Sequence, residues 1–236
     1  SDEFKEAFGF LLDKLVATSG DISKQHVKAL CDLADMVGVD NLVASDIEKF
    51  TPLLVRSLIE VIFDYNDSKE RDFLYPRVAF SLLKRLLDVD SNGRLFSKEN
   101  FRKLISSSYN LSSQVELAGL LDNILEKVPS PLLRDYFDSD GMVQLLHRLA
   151  EGPIALCSIV AKIYKRVCAQ ENADTASLQA FEDGLLKIIE DMRTASRTEN
   201  DLCCLRYCAL EMGKKSFFDR VATCLNYASR NLIGTD

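Results

Sequence analysis

The sequence contains no tryptophan, only five prolines and only ten glycines in 236 residues. An all-β architecture with many tight turns draws on more Gly and Pro than this, so the small supply favours helices. Histidine is nearly absent as well: only His26 and His147 occur, on distant segments. No Gly-x-Ser-x-Gly, His-Glu-x-x-His or phosphate-loop spacing accompanies them, so nucleophilic, metal-hydrolytic and nucleotide chemistry lack their usual groups. A basic excess is missing too. Lys and Arg number 29 against 36 Asp and Glu, a net charge of −7, whereas phosphate recognition needs clustered cations. No run approaches the roughly 20 apolar residues needed to cross a bilayer, and the N-terminus lacks the regions of a signal peptide. The expectation is a soluble, intracellular protein that binds neither nucleic acid nor membrane directly, uses no cofactor or small-molecule substrate, and has no catalytic residues.

Seven cysteines are present: Cys31, Cys157, Cys168, Cys203, Cys204, Cys208 and Cys224. Their number is odd and no Cys-x-x-Cys spacing occurs, so neither a disulfide framework nor a zinc site is expected. Cys203, Cys204 and Cys208 cluster with Tyr207, yet adjacent helical residues point about 100° apart and no fourth ligand is near, which favours packing. Reduced, buried thiols fit cytoplasm or nucleus. The chain opens at Ser1 without Met and stops at Asp236, which leads to the expectation of a piece of a longer protein.

Hydrophobic residues make up 47% of the chain, enough for a sizeable core. Their order is the main signal: two apolar residues, two mostly polar ones, then two more apolar, which lays a broad stripe along one helix face. The pattern recurs at Leu82-Leu83 with Leu86-Leu87, Leu120-Leu121 with Ile124-Leu125, Ile159-Val160 with Ile163-Tyr164 and, more weakly, Cys204-Leu205 with Cys208-Ala209. The starts are 38, 39 and 45 residues apart, matching the ~40–47-residue period of armadillo and HEAT repeats. A second series at 50–62, 101–105, 142–149 and 185–192 alternates with the first, so each repeat predicts a helical hairpin. Helices at 4–16 and 27–37 would form an N-terminal cap within residues 1–45, and a helix at 217–232 a C-terminal cap within 214–236. Thr51-Pro52, Pro129-Ser130-Pro131 and Gly152-Pro153 stand where helices begin, because proline fits a first turn and not an interior one. Polar loops are expected around Asn66-Asp67-Ser68 and Asn92-Gly93. The fold expected is all-α, a right-handed α-solenoid of armadillo or HEAT type occupying 1–236 as one domain, since a lone hairpin cannot cover its own apolar face.

The sharpest local motif is Asp88-Val89-Asp90-Ser91-Asn92-Gly93-Arg94-Leu95-Phe96-Ser97-Lys98-Glu99. It fits a twelve-residue EF-hand loop, with side-chain oxygens from Asp88, Asp90, Asn92 and Glu99, the Arg94 carbonyl at the seventh position and Gly93 at the turn. Helices at 78–87 and 98–105 would flank it, and Glu3-Phe4-Lys5-Glu6-Ala7-Phe8 looks like the first helix of calmodulin. Phe96 at the ninth position argues against calcium. So does the lack of a paired loop: frames around Gly20 and Gly141 would end on His26 and His147 and supply no terminal carboxylate. The competing reading is an inter-helix turn in which Ser97 or Asn92 caps a helix. Asp32 with Asp35, and Glu190 with Asp191, read as solvated helix faces.

Lys84-Arg85, Asp122-Asn123, Ala161-Lys162 and Arg206-Tyr207 occupy the polar positions inside the stripes. Where the second helix of each hairpin lines a concave face, they form a mostly basic ladder with one acidic rung. Such a face suits an acidic or helical peptide segment of a partner protein; the plainer reading is an ordinary solvated face.

The order of segments also resembles one family. Residues 8–33, then Asp122-Asn123-Ile124-Leu125-Glu126-Lys127-Val128-Pro129 followed by Asp140-Gly141-Met142-Val143, then 200–219 are similar to the armadillo-like N-terminal domain of the synaptonemal complex protein 2 family, core proteins of the meiotic chromosome axis. The likeness is one of spacing and apolar pattern over nearly the whole chain. It implies a nuclear, chromosome-associated scaffold whose armadillo-like region recruits partners, and a pleckstrin-like β domain farther along such proteins. It assigns no catalytic or ligand residue, and the aspartate-rich loop is not a hallmark of the family.

Overall fold

A computed structural model describes residues 2–67, 74–90, 93–106, 111–138, 140–141, 145, 159, 162–168, 175–192, 219 and 222–223. Every regular element among them is helical. The chain groups into two compact units, Ser1–Leu132 and Leu133–Asp236.

In the first unit, α1 (Asp2–Val16) carries Asp2 and Glu3 in its first turn and Lys14 in its last, charges that complement the helix dipole. Phe8, Leu12 and Leu15 recur at helical spacing and are buried. Helix α2 (Lys24–Val37) buries Val27, Leu30, Cys31, Ala34 and Val37. It stops at Gly38, whose φ of 81° and amide bond to the Asp35 carbonyl form a C-terminal cap. A Cβ there would lie 2.9 Å from Asn41 Nδ2, so both conformation and space favour glycine. A 3-10 turn (Val39–Asn41) and a single helical turn α3 (Ala44–Ile47) follow, neither of which the apolar period predicts. Lys49 links α1 to the end of this segment, with its ammonium 3.0 Å from both Asp13 and Asp46. Those two carboxylates raise its pKa.

Helix α4 (Pro52–Asp67) begins at the predicted proline, and the Thr51 hydroxyl accepts the Leu54 amide at 3.2 Å as its cap. Asn66 and Asp67, expected in a loop, extend the helix instead. Helix α5 (Leu74–Val89) starts earlier than the period indicates because Pro76 is accommodated in its first turn. Helix α6 (Lys98–Ser106), helix α7 (Leu111–Lys127) and α8 (Ser130–Tyr136), which opens on Ser130-Pro131, follow. Leu82, Leu83, Leu86 and Leu87 of α5 and Leu120, Leu121, Ile124 and Leu125 of α7 are all buried, so both predicted stripes face the core. A fully buried leucine contributes about 2 kcal/mol by removal from water.

Within this unit α1 packs on α2, α2 on both α4 and α5, α4 on α5 and α6, and α5 on α7. The short α3 and the 3-10 turn lie against α5. In the second unit the described residues include a π-helical turn (Tyr164–Cys168) packed on α9 (Thr175–Met192). Helix α9 ends where the 185–192 stripe ends but begins ten residues before it. Ile159 and Ile163 of the third stripe are buried. The fourth stripe at 204–209, the helix at 142–149 apart from Leu145, and the Gly152-Pro153 start lie outside the described residues. The C-terminal cap at 217–232 does too, except at 219 and 222–223.

Candidate functional site

The aspartate-rich loop is built from the backbone outward. Helix α5 delivers Asp90, whose own amide still bonds the Leu86 carbonyl at 2.8 Å. Gly93, with φ of 66°, reverses the chain and donates its amide to the Asp90 carbonyl at 3.1 Å. The returning strand of loop brings three more amides to one carboxylate. Asp90 Oδ1 accepts from Arg94 at 2.9 Å, and Oδ2 accepts from Leu95 at 2.8 Å and Phe96 at 3.3 Å. Leu95 and Phe96 then turn into the core, 2% and 1% exposed, so burial locks the turn that the carboxylate organises.

Ser97 closes the loop as the cap of α6, its hydroxyl accepting the Asn100 amide at 3.2 Å. Asn100 is itself buried and donates its side-chain amide to the carbonyls of Pro52 and Leu95 at 3.1 and 3.2 Å. The loop is thereby tied to the start of α4. Asp88, the first position of the calcium pattern, forms an ion pair with Lys127 of α7, and Glu99 is exposed. Asn92 lies outside the described residues. Among the described residues no group of three or more His, Cys, Asp or Glu could hold a metal ion. The carboxylate at the third position is thus aimed at peptide amides, the arrangement of a side-chain-capped turn.

The two ladder rungs of the first unit, on α5 and α7, can be placed. Lys84 Nζ lies 3.2 Å from Glu116 Oε2 on α7, and a Cβ at Gly119 would meet that ammonium at 3.1 Å. Arg85 is half-buried, and its Nε is enclosed with no hydrogen-bond partner. Asp122 and Asn123 are half-buried. In the second unit Lys162 is half-buried, while Ala161, Arg206 and Tyr207 lie outside the described residues. The pairs across α5 and α7 were missed by reading single helices. Lys84 and Asp88 on α5 meet Glu116 and Lys127 on α7, a complementary charge order that is visible in the sequence once the two helices are known to be neighbours.

Asp32 and Asp35, expected on a solvated face, also face a neighbour. Asp32 accepts the Tyr75 hydroxyl at 3.1 Å, and Asp35 pairs with Arg77 at 3.3 Å, both on α5. His26 is exposed on α2, and His147 lies outside the described residues. Glu190 and Asp191 fall within α9. Cys31 and Cys168 are buried. Burial, with Asp32 adding to it, pushes the Cys31 thiol up to about 12, which keeps it protonated and unreactive near neutral pH. Cys157, Cys203, Cys204, Cys208 and Cys224 lie outside the described residues. No described helix is long and apolar enough to cross a membrane. Comparison of the chain with protein-family models, curated proteins and solved structures gives no match.

Proposed function

We propose that this chain is a non-enzymatic scaffold made of stacked helical hairpins of the armadillo or HEAT kind, whose partner is another protein. The observation that supports it is the neighbour pattern of the first unit. Helix α2 touches α5 and α5 touches α7, while α4 touches both its hairpin mate α5 and the later helix α6. Like helices of successive hairpins therefore lie side by side, the arrangement that lets each hairpin cover its neighbour's apolar face. The buried stripes at 82–87 and 120–125 supply that cover.

In this reading the polar rungs of α5 and α7 form the recognition surface. Lateral pairing of Lys84 with Glu116 and of Asp88 with Lys127 fixes the long side chains in place, so a partner segment, acidic or helical, meets a preorganised mixed-charge surface. The resemblance to the synaptonemal complex protein 2 family supplies the proposed setting, a nuclear protein of the meiotic chromosome axis that recruits other proteins. The test is to express the tagged chain in meiotic prophase cells and map cross-links by mass spectrometry. Signal along chromosome axes, with cross-links from α5 and α7 to a protein partner, is expected. Diffuse cytoplasmic signal without a cross-linked partner removes the reading.

A further inference from the structure

We propose that the outer face of α1 is a contact surface for a second copy of this chain, paired antiparallel about Phe10. Phe8 and Leu12 are fully buried, and Phe10 is two residues from each. At 100° per residue it projects from the opposite side of the helix. Phe10 is 64% exposed, and the Lys14 ammonium sits 4.5 Å from its ring centroid.

A single exposed phenylalanine would mean little; the order of charge around this one decides the partner. Glu6, Phe10 and Lys14 follow one another at four-residue intervals, so they form one line along the outward face. Glu6 and Lys14 are both exposed. A twofold axis through Phe10 and normal to the helix exchanges positions 6 and 14. Each Glu6 then meets Lys14 of the other copy, and the two rings meet at the axis. A parallel pairing would set Glu6 on Glu6 and Lys14 on Lys14. The sequence of this face is therefore complementary to itself in one orientation, the condition for an isologous contact. Antiparallel helix dipoles favour the same orientation, and the acidic Asp2 and Glu3 lie at the end that approaches the second copy's Lys14. A contact one helix wide lies at the small end of specific interfaces, so the expected dissociation constant is on the order of 10–1000 µM. This contact stands independently of the scaffold reading.

The experiment is sedimentation velocity of the 236-residue chain over that concentration range. A reversible monomer–dimer equilibrium is expected for the wild-type chain. Phe10→Ser should remain monomeric throughout with an unchanged circular dichroism spectrum, because Phe10 is mostly exposed. Glu6→Lys and Lys14→Glu should each weaken association at least about tenfold. Mixed in equal amounts, those two variants should associate again, since one then carries Lys at both positions and the other Glu at both. The double variant Glu6→Lys/Lys14→Glu should dimerise alone. A wild-type chain that stays monomeric at the highest concentration, a dimer indifferent to Phe10→Ser, or charge variants that fail to recover on mixing would each overturn the proposal.

Discussion

Asp90 and Asp138 both stand in turns ahead of a helix and both use their carboxylates on backbone amides, yet they hold their turns in different ways. Asp90 gathers the amides of Arg94, Leu95 and Phe96, and two of those residues are buried. Asp138 accepts the amide of Gly141 at 2.9 Å, and the decisive constraint there is space. A Cβ on Gly141 would press into the carbonyl oxygen of Tyr136 and lie 3.2 Å from Asp138 Oδ1. The first turn depends on what a side chain accepts, the second on what a glycine leaves out. Only the first resembles a calcium loop in sequence, and its third-position carboxylate accepts peptide amides.

Gly141→Ala should separate the two turns by the largest effect. The clash is with backbone, which cannot swing aside, so a loss of about 3 kcal/mol is expected, read as a lower urea midpoint by circular dichroism. Asp90→Ala should cost about 2 kcal/mol by leaving partly buried amides without an acceptor. Its distinctive mark is faster hydrogen exchange at Arg94, Leu95 and Phe96, while the Gly141 amide keeps its rate. Asp138→Ala removes a cap, and about 1 kcal/mol is expected, with exchange accelerated at Gly141 instead. Equal effects of the two aspartate substitutions on both turns would erase the distinction. Calcium is the smallest expected effect: the melting temperature should not move at about 1 mM ion, whereas a site of about 10 µM affinity would add roughly 2.7 kcal/mol. A stabilisation of that size would mean that Asp90 can exchange its amides for a metal.

Much of the helical layout was legible because periodicity is a local property. The stripes at 82–87 and 120–125 predicted faces that are buried, Thr51-Pro52 marked the start of α4, and of the two candidate caps Ser97 and Asn92, Ser97 caps α6. Legibility failed where local signals compete. Pro76 did not delay α5, because a first turn leaves the missing amide without consequence. Asn66 and Asp67 carry weak turn preferences that continued helix overrides. The short α3 holds too few residues to show a period.

Helicity, the apolar faces of α1, α2, α5 and α7 and the starts of several helices are written locally, since hydrophobic spacing and capping act within a few residues. The pairing of Lys84 with Glu116, the contacts of Asp32 and Asp35 with Tyr75 and Arg77, and the turn of the Asp90 carboxylate toward peptide amides emerge from packing. Those outcomes depend on which groups arrive within about 3 Å of one another. Segments far apart in sequence meet at that range only after the core has packed.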